Sequence, residues 1–149
     1  MLRKIKESEI RRVSRGFYQG QVNSKPSWSN GEILEVGIDT PFKRIKNIDW
    51  IQKNLQNLVN SILGCVLERI GEIEIKEEFS FDDDWRYGVG VVKLKSESST
   101  AYINLFYYSY FANKYSNLEF RIGSKIAVAV YDGGELVGLI AWLNLKNPF

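Results

Sequence analysis

Apolar residues along this chain recur with one of two periods, and the place where the period changes organises the rest. From Ile48 to Ile70 the apolar positions Ile48, Ile51, Leu55, Leu58, Val59, Ile62, Leu63, Val66, Leu67 and Ile70 follow the i, i+3, i+4, i+7 spacing of a one-sided helix. Asn47 suits its N-cap, Asp49 the positive end of its dipole and Gly71 a left-handed stop. After Gly71 the period drops to two. Ile73, Ile75, Phe79 and Phe81 alternate with Glu72, Glu74, Lys76, Glu78 and Ser80, which predicts a half-buried strand. Asp82 to Asp84 read as a turn, and Trp85, Tyr87, Val89 and Val91 share one face of the next strand. A phase change at Val92 and Leu94 predicts a bulge. Ser96 to Thr100 form a polar turn before a strand at Ala101 to Leu105.

Phe106 to Tyr115 is rich in aromatics and compatible with either state; Asn104 as a cap and Asn117 as a stop make it a short helix. Strands follow at Leu118 to Ile122 and Ile126 to Val130, then the hairpin signal Asp132-Gly133-Gly134-Glu135, a last strand from Leu136 to Leu145 and a free tail. Before the long helix, Phe17 to Val22 and Glu32 to Asp39 read as strands, the second with Leu34, Val36 and Ile38 inward and Glu35, Gly37 and Asp39 outward. Asn23 to Gly31, with Pro26, is the loop between them. Residues 1–14 form either a short basic amphipathic helix or a loose arm, and Thr40 to Lys46 a basic connector. From Ile48 onward a helix followed by three strands occurs twice. The expectation is one α+β domain over residues 1–149, mainly antiparallel sheet with one long and one short helix packed on it.

Composition changes this picture in two ways. The 149 residues, 44% hydrophobic and 26% charged, are ordinary for a soluble domain, and the apolar runs are far too short to span a membrane. No apolar stretch follows the charged start, and one cysteine cannot make an internal disulfide, so a cytoplasmic setting is expected. Charge is uneven: residues 1–15 carry a net +4 and the remainder −2. Residues 72–84 hold Glu72, Glu74, Glu77, Glu78 and Asp82 to Asp84 against Lys76 alone, a second pole available for steering a partner.

There is no histidine, which removes the usual general base, the common nucleophile pairs and the commonest metal ligand. No phosphate-cradling glycine motif is present. Neither a cofactor nor a metal is therefore expected, and a non-enzymatic role is favoured. The rival is a carboxylate- or cation-dependent enzyme built on Asp82, Asp83 and Asp84, although their spacing is that of a solvated turn rather than a calcium loop. Another rival is a small-ligand carrier whose cavity is lined by Trp85, Tyr87, Phe106 and Trp142. Cys65, at the margin of the apolar stripe, is expected as a small buried hydrophobe rather than a reactive thiol.

Two surfaces are candidates for contact. The far side of the long helix carries Trp50, Asn54, Asn57, Asn60, Ser61 and Gly64 with few charges, so Trp50, Asn57 and Gly64 are the expected protein-facing residues, for a partner or for self-association. The alternative for Trp50 is cover by the N-terminal segment. Arg3, Lys4, Arg11, Arg12, Lys43 and Arg44 are the expected phosphate-facing set if nucleic acid is bound. The aromatics Phe106, Tyr107, Tyr108, Tyr110, Phe111 and Tyr115 lack the basic neighbours of a stacking platform; core packing with hydroxyls at the rim accounts for them better.

The stretch Ala101-Tyr102-Ile103-Asn104-Leu105-Phe106-Tyr107 resembles the end of a sliding-clamp-like domain of the DNA polymerase III beta type. Leu118 to Ile122, Ile126 to Val130 and Asp132 to Ile140 continue that resemblance, and the doubled helix-plus-strands order is similar to the clamp plan. It covers the last third of the sequence and about two-thirds of the element order; Ala141-Trp142-Leu143 stands where the family has a Met-Pro step. With one domain in place of a ring, the resemblance implies a clamp-like accessory or inhibitor in phage or mobile-element DNA transactions.

Overall fold

A strand that reads as a nearly continuous apolar run needs cover on both faces. Ile33 to Val36 and Ala127 to Tyr131 are such runs, and they lie in the middle of a three-layer structure. The computed structural model describes residues 2–14, 16–38, 49–78, 90–123 and 125–143, with backbone only for 49–54. Its elements are α1 (Glu7–Val13), β1 (Tyr18–Val22), β2 (Lys25–Ser29), β3 (Ile33–Val36), α2 (Asp49–Leu63), β4 (Glu68–Arg69), β5 (Glu72–Lys76), β6 (Val91–Lys95), β7 (Thr100–Asn104), α3 (Leu105–Lys114), β8 (Leu118–Ile122), β9 (Ala127–Asp132) and β10 (Glu135–Ala141). The fold is α+β, and among the described residues every strand pairing is antiparallel.

Seven strands form one sheet in the order β1-β2-β3-β10-β9-β8-β4; β5-β6-β7 form a second. α2 covers one face of the large sheet, where Leu55, Val59 and Ile62 meet Leu34, Val36, Ala129 and Leu139. On the other face α1, α3 and the small sheet enclose a larger core that includes Ile10, Trp28, Ile103, Phe111, Val128 and Ile140. α3 approaches so closely at β10 that a Cβ on Gly138 would stand 2.5 Å from the Phe111 ring and collide with the Leu34 carbonyl. No helix among the described residues is long and apolar enough to cross a membrane.

The bulge expected at Val92 and Leu94 is absent, since β6 keeps an unbroken register with β5 and β7 from Val91 to Lys95. The structure departs from the sequence-based layout at four further places. The long helix ends at Leu63 rather than Ile70: Gly64 donates to the Asn60 carbonyl at 2.9 Å, and the chain then straightens so that Glu68 and Arg69 pair with Ile122 and Arg121 of β8. An edge-strand demand from β8, helped by the helix-weakening Gly64, outweighs the apolar periodicity. Gly71 instead marks the corner between sheets, donating to the Lys95 carbonyl at 2.9 Å. Second, the expected loop at 23–31 contains β2, reached by a two-residue turn with Asn23 and Ser24 at φ 53° and 64°. Pro26 is tolerated because pairing with β3 starts only at Ser27.

Third, each helix is followed by strands, but the set after α2 uses four of them and a further set, α1 to β3, precedes it. These sets do not build equivalent sheets, since the N-terminal and C-terminal strands share one. Fourth, all of β5 is exposed, including Ile73 and Ile75, which the alternation had placed inward. Other expectations match: α3 is capped by Asn104, whose side chain accepts the Phe106 N–H at 2.9 Å, and Gly133 and Gly134 turn the β9–β10 hairpin at φ 59° and 87°. Residues 1–14 include the helical alternative, with Ile5, Ile10 and Val13 buried.

Candidate functional site

Glu35 was expected to face outward, yet it is wholly buried. With Leu34 and Val36 turned toward α2, strand alternation sends Ile33 and Glu35 toward α3. There Trp28 Nε1 donates to Glu35 Oε1 at 3.0 Å and the Tyr110 hydroxyl donates to the same oxygen at 2.8 Å. Glu35 Oε2 accepts a short hydrogen bond from the Tyr115 hydroxyl and lies 2.9 Å from Lys114 Nζ. Lys114 Nζ also donates to the Tyr110 hydroxyl at 2.9 Å and stands 5.1 Å from the centre of that ring. Tyr110, Lys114 and Tyr115 reach one point because they follow i, i+4, i+5 on α3 and its cap.

The carboxylate thus has four partners and no oxygen left over for a substrate or ion. Its place between β3 and α3 is that of a structural tie. The tyrosine hydroxyls, expected at the rim, point inward to Glu35, while Tyr107 donates to Glu32 Oε2 at 2.9 Å. The signal for this site was visible in the sequence as a single carboxylate inside the run Ile33-Leu34-Glu35-Val36.

Arg3, Lys4, Arg11 and Arg12 are all exposed on α1 and the segment before it. Arg3 is ion-paired with Glu9, whose carboxyl is held below its usual range by the Lys6 backbone N–H and then by Arg3. The α1 segment is anchored through its apolar side and by Asn113 Nδ2 donating to the Arg3 carbonyl at 3.0 Å. Leu2 lines an open cleft with Glu77 and Glu78, so the fold brings the basic start beside the acidic stretch. Lys43 and Arg44 lie outside the described residues, as do Asp82, Asp83, Asp84, Trp85 and Tyr87. Among the described residues no three acidic or cysteine side chains converge as a metal site would require.

Asn57 on α2 and Gly64 just past its end are exposed; the Trp50 side chain lies outside the described residues. The low charge of this helix face has a partial internal cause, because Gln56 Nε2 donates to Asn23 Oδ1 at 3.1 Å and to Asn60 Oδ1 at 2.9 Å, tying the helix to the β1–β2 turn. Cys65 is exposed, against expectation, because the helix has already ended there. Phe106 is buried in the core and Trp142 packs half-buried against it, so both fill space in the larger cluster.

Two uncovered apolar regions were not foreseen. Leu58 and Ile126, 42% and 63% exposed, border a dimple of about 70 Å³ at the end of α2, with Val66 88% exposed in the following segment. A cleft of about 350 Å³ opens between α3, β8 and the β4–β5 corner.

Burial and then the Glu35 charge push the Tyr110 hydroxyl far above its ordinary range; burial and the hydrogen bond to Glu35 do the same to Tyr115. Unfolded, both lose their proton near pH 10. The stabilisation is therefore complete below about pH 10 and is lost above it, as the unfolded chain releases protons that the folded one keeps. Urea midpoints measured between pH 8 and 11 are expected to fall from about pH 10, with Tyr110 contributing up to about 1.4 kcal/mol per pH unit. Tyr110→Phe is expected to flatten that limb; an unchanged slope would show that Tyr110 titrates freely. No family model, curated protein or solved structure matches this chain.

Proposed function

We propose that the protein is a non-catalytic binding and assembly module whose protein-facing surface is the uncovered end of α2. The observation that carries this is an exposed apolar zone: Leu58, Val66 and Ile126 stand open, Asn57 and Ser61 lie on the same half of the helix, and Gly64 and Cys65 follow its end. Large apolar side chains left exposed near one helix end mark a contact site. Its charged border holds one residue of each sign, Glu32 and Lys125, so a second copy meets no net like-charge opposition and self-association is its favoured use.

The phosphate-facing part of the proposal uses Lys4, Arg11 and Arg12, exposed on one N-terminal segment, with Arg3, Lys43 and Arg44. A clamp-like accessory or inhibitor in phage or mobile-element DNA transactions, in a cytoplasmic setting, unites the two surfaces. An exposed free thiol at Cys65 suits a reducing compartment.

Light scattering on the purified chain is expected to give twice the monomer mass at micromolar concentration. Ile126→Asp, with an unchanged circular dichroism spectrum, is expected to weaken association at least tenfold, since burying one such side chain stabilises by about 1.5–3 kcal/mol. A wild-type chain that stays monomeric to about 100 µM would remove the self-association reading. For the basic segment, duplex DNA binding is expected at low salt with a steep loss as salt rises, reduced by Arg11→Glu with Arg12→Glu; no binding at low salt would remove the nucleic-acid part.

A further inference from the structure

We propose that the cleft between α3, β8 and the β4–β5 corner is a second contact site, for an extended peptide segment carrying an acidic group beside an apolar side chain. It does not depend on the α2 surface.

In an antiparallel pair, opposite residues project to the same face. Ile73 lies opposite Leu94 and Ile75 opposite Val92, and both β6 residues are completely buried in the larger core. Ile73 therefore projects to the core side of the small sheet, yet it is 48% exposed. α3 packs on β6 and β7, while Ile73 and Ile75 of β5 stay exposed. What remains is a cleft of about 350 Å³, within the range of built ligand sites. Ile70 and Ile73 form one wall, Ala112 and Ser116 of the α3 end the other. The floor is the stacked pair Tyr108 and Phe120, ring centres 5.2 Å apart.

Two features select an extended chain over a compact ligand. β4 accompanies β8 only at Glu68 and Arg69, with one more bond from the Ile70 N–H to the Phe120 carbonyl at 3.2 Å. The chain then turns away at Gly71, and among the described residues no strand continues β4 alongside Leu118 and Glu119. A peptide entering the cleft continues the line of β4, pairing with the backbone of that stretch while alternate side chains drop onto Tyr108 and Phe120.

The second feature is charge. Glu119 has two cations: Arg69 Nε at 2.7 Å and Arg121 Nη2 at 2.9 Å. Arg121 is three-quarters buried and lies over the Tyr131 ring at 4.1 Å, so it is the fixed partner. Arg69 is 77% exposed and borders the cleft from the edge strand. Opposite Arg121, it stands on the α2 side of the sheet, where the residue next to a cleft-filling one projects, and the three groups together leave one positive charge in excess. An acidic side chain or terminal carboxylate of the peptide complements it.

The test uses the full chain as bait for a phage-displayed library of random dodecapeptides, followed by titration of the synthetic enriched peptide. Enriched sequences are expected to place Asp, Glu or a C-terminal carboxylate next to alternating apolar residues. Arg69→Glu is expected to weaken the synthetic peptide roughly tenfold, the cost of losing one charge-assisted bond. A peptide with the acid replaced by lysine is expected to regain affinity for that variant. Ser116→Trp, at an exposed rim position, is expected to block binding while leaving folding intact. Failure to enrich any sequence, a basic consensus, or equal binding to wild type and Ser116→Trp would overturn the proposal. None of those outcomes bears on the mass measurement that tests the α2 surface.

Discussion

A carboxylate buried away from water must find enough donors to replace its hydration, and Glu35 meets that constraint with groups from two layers. The donors on β2 and α3 have to arrive at one point between the sheet and the helix. Because Tyr110, Lys114 and Tyr115 all come from the end of α3, the tie sets how far the helix lies from the sheet and how it is rotated about its axis. That rotation turns Tyr108, Ala112 and Ser116 toward the cleft, with the Tyr115 ring reaching the cleft as its hydroxyl binds Glu35. The polar interior and the open cleft are two sides of one helix placement.

Around this point the large sheet is buried on both faces. Gly138 lets Phe111 close onto β10 on the α3 side, while small residues such as Ala127 and Ala129 let α2 lie on the other. Uncovered apolar surface appears where this layering runs out. α2 stops at Leu63 because the next segment serves β8, which leaves Val66 outside. α3 packs on β6 and β7 and leaves Ile73 of β5 half open. Both proposed contact surfaces are thus consequences of where the two covering helices end.

Periodicity made the positions of the described strands after Gly71, α3 with its Asn104 cap and the β9–β10 hairpin readable, since each rests on local chemistry. Three features were illegible for physical reasons. The stretch 64–70 keeps a helical apolar spacing, but its conformation answers to the β8 edge, a long-range demand. β2 is disguised by Pro26 and its turn residues, which are tolerated only because of the register with β3. Glu35 obeys the alternation rule, and the rule misled because it assumes one wet face, whereas this strand has none. Of the expected contact residues, Asn57, Gly64, Arg3, Lys4, Arg11 and Arg12 are on the surface, but the apolar zone and the cleft arise from tertiary packing that no single segment displays.

The most direct test of the Glu35 tie is a double-mutant cycle between Glu35→Gln and Lys114→Met, read as unfolding free energy in urea at pH 7. The tie predicts strong non-additivity, a coupling of about 1.5–3 kcal/mol, because each substitution alone strands a charge that the other removes. Effects that add to within about 0.5 kcal/mol would contradict it and make Glu35 a tolerated passenger in the core.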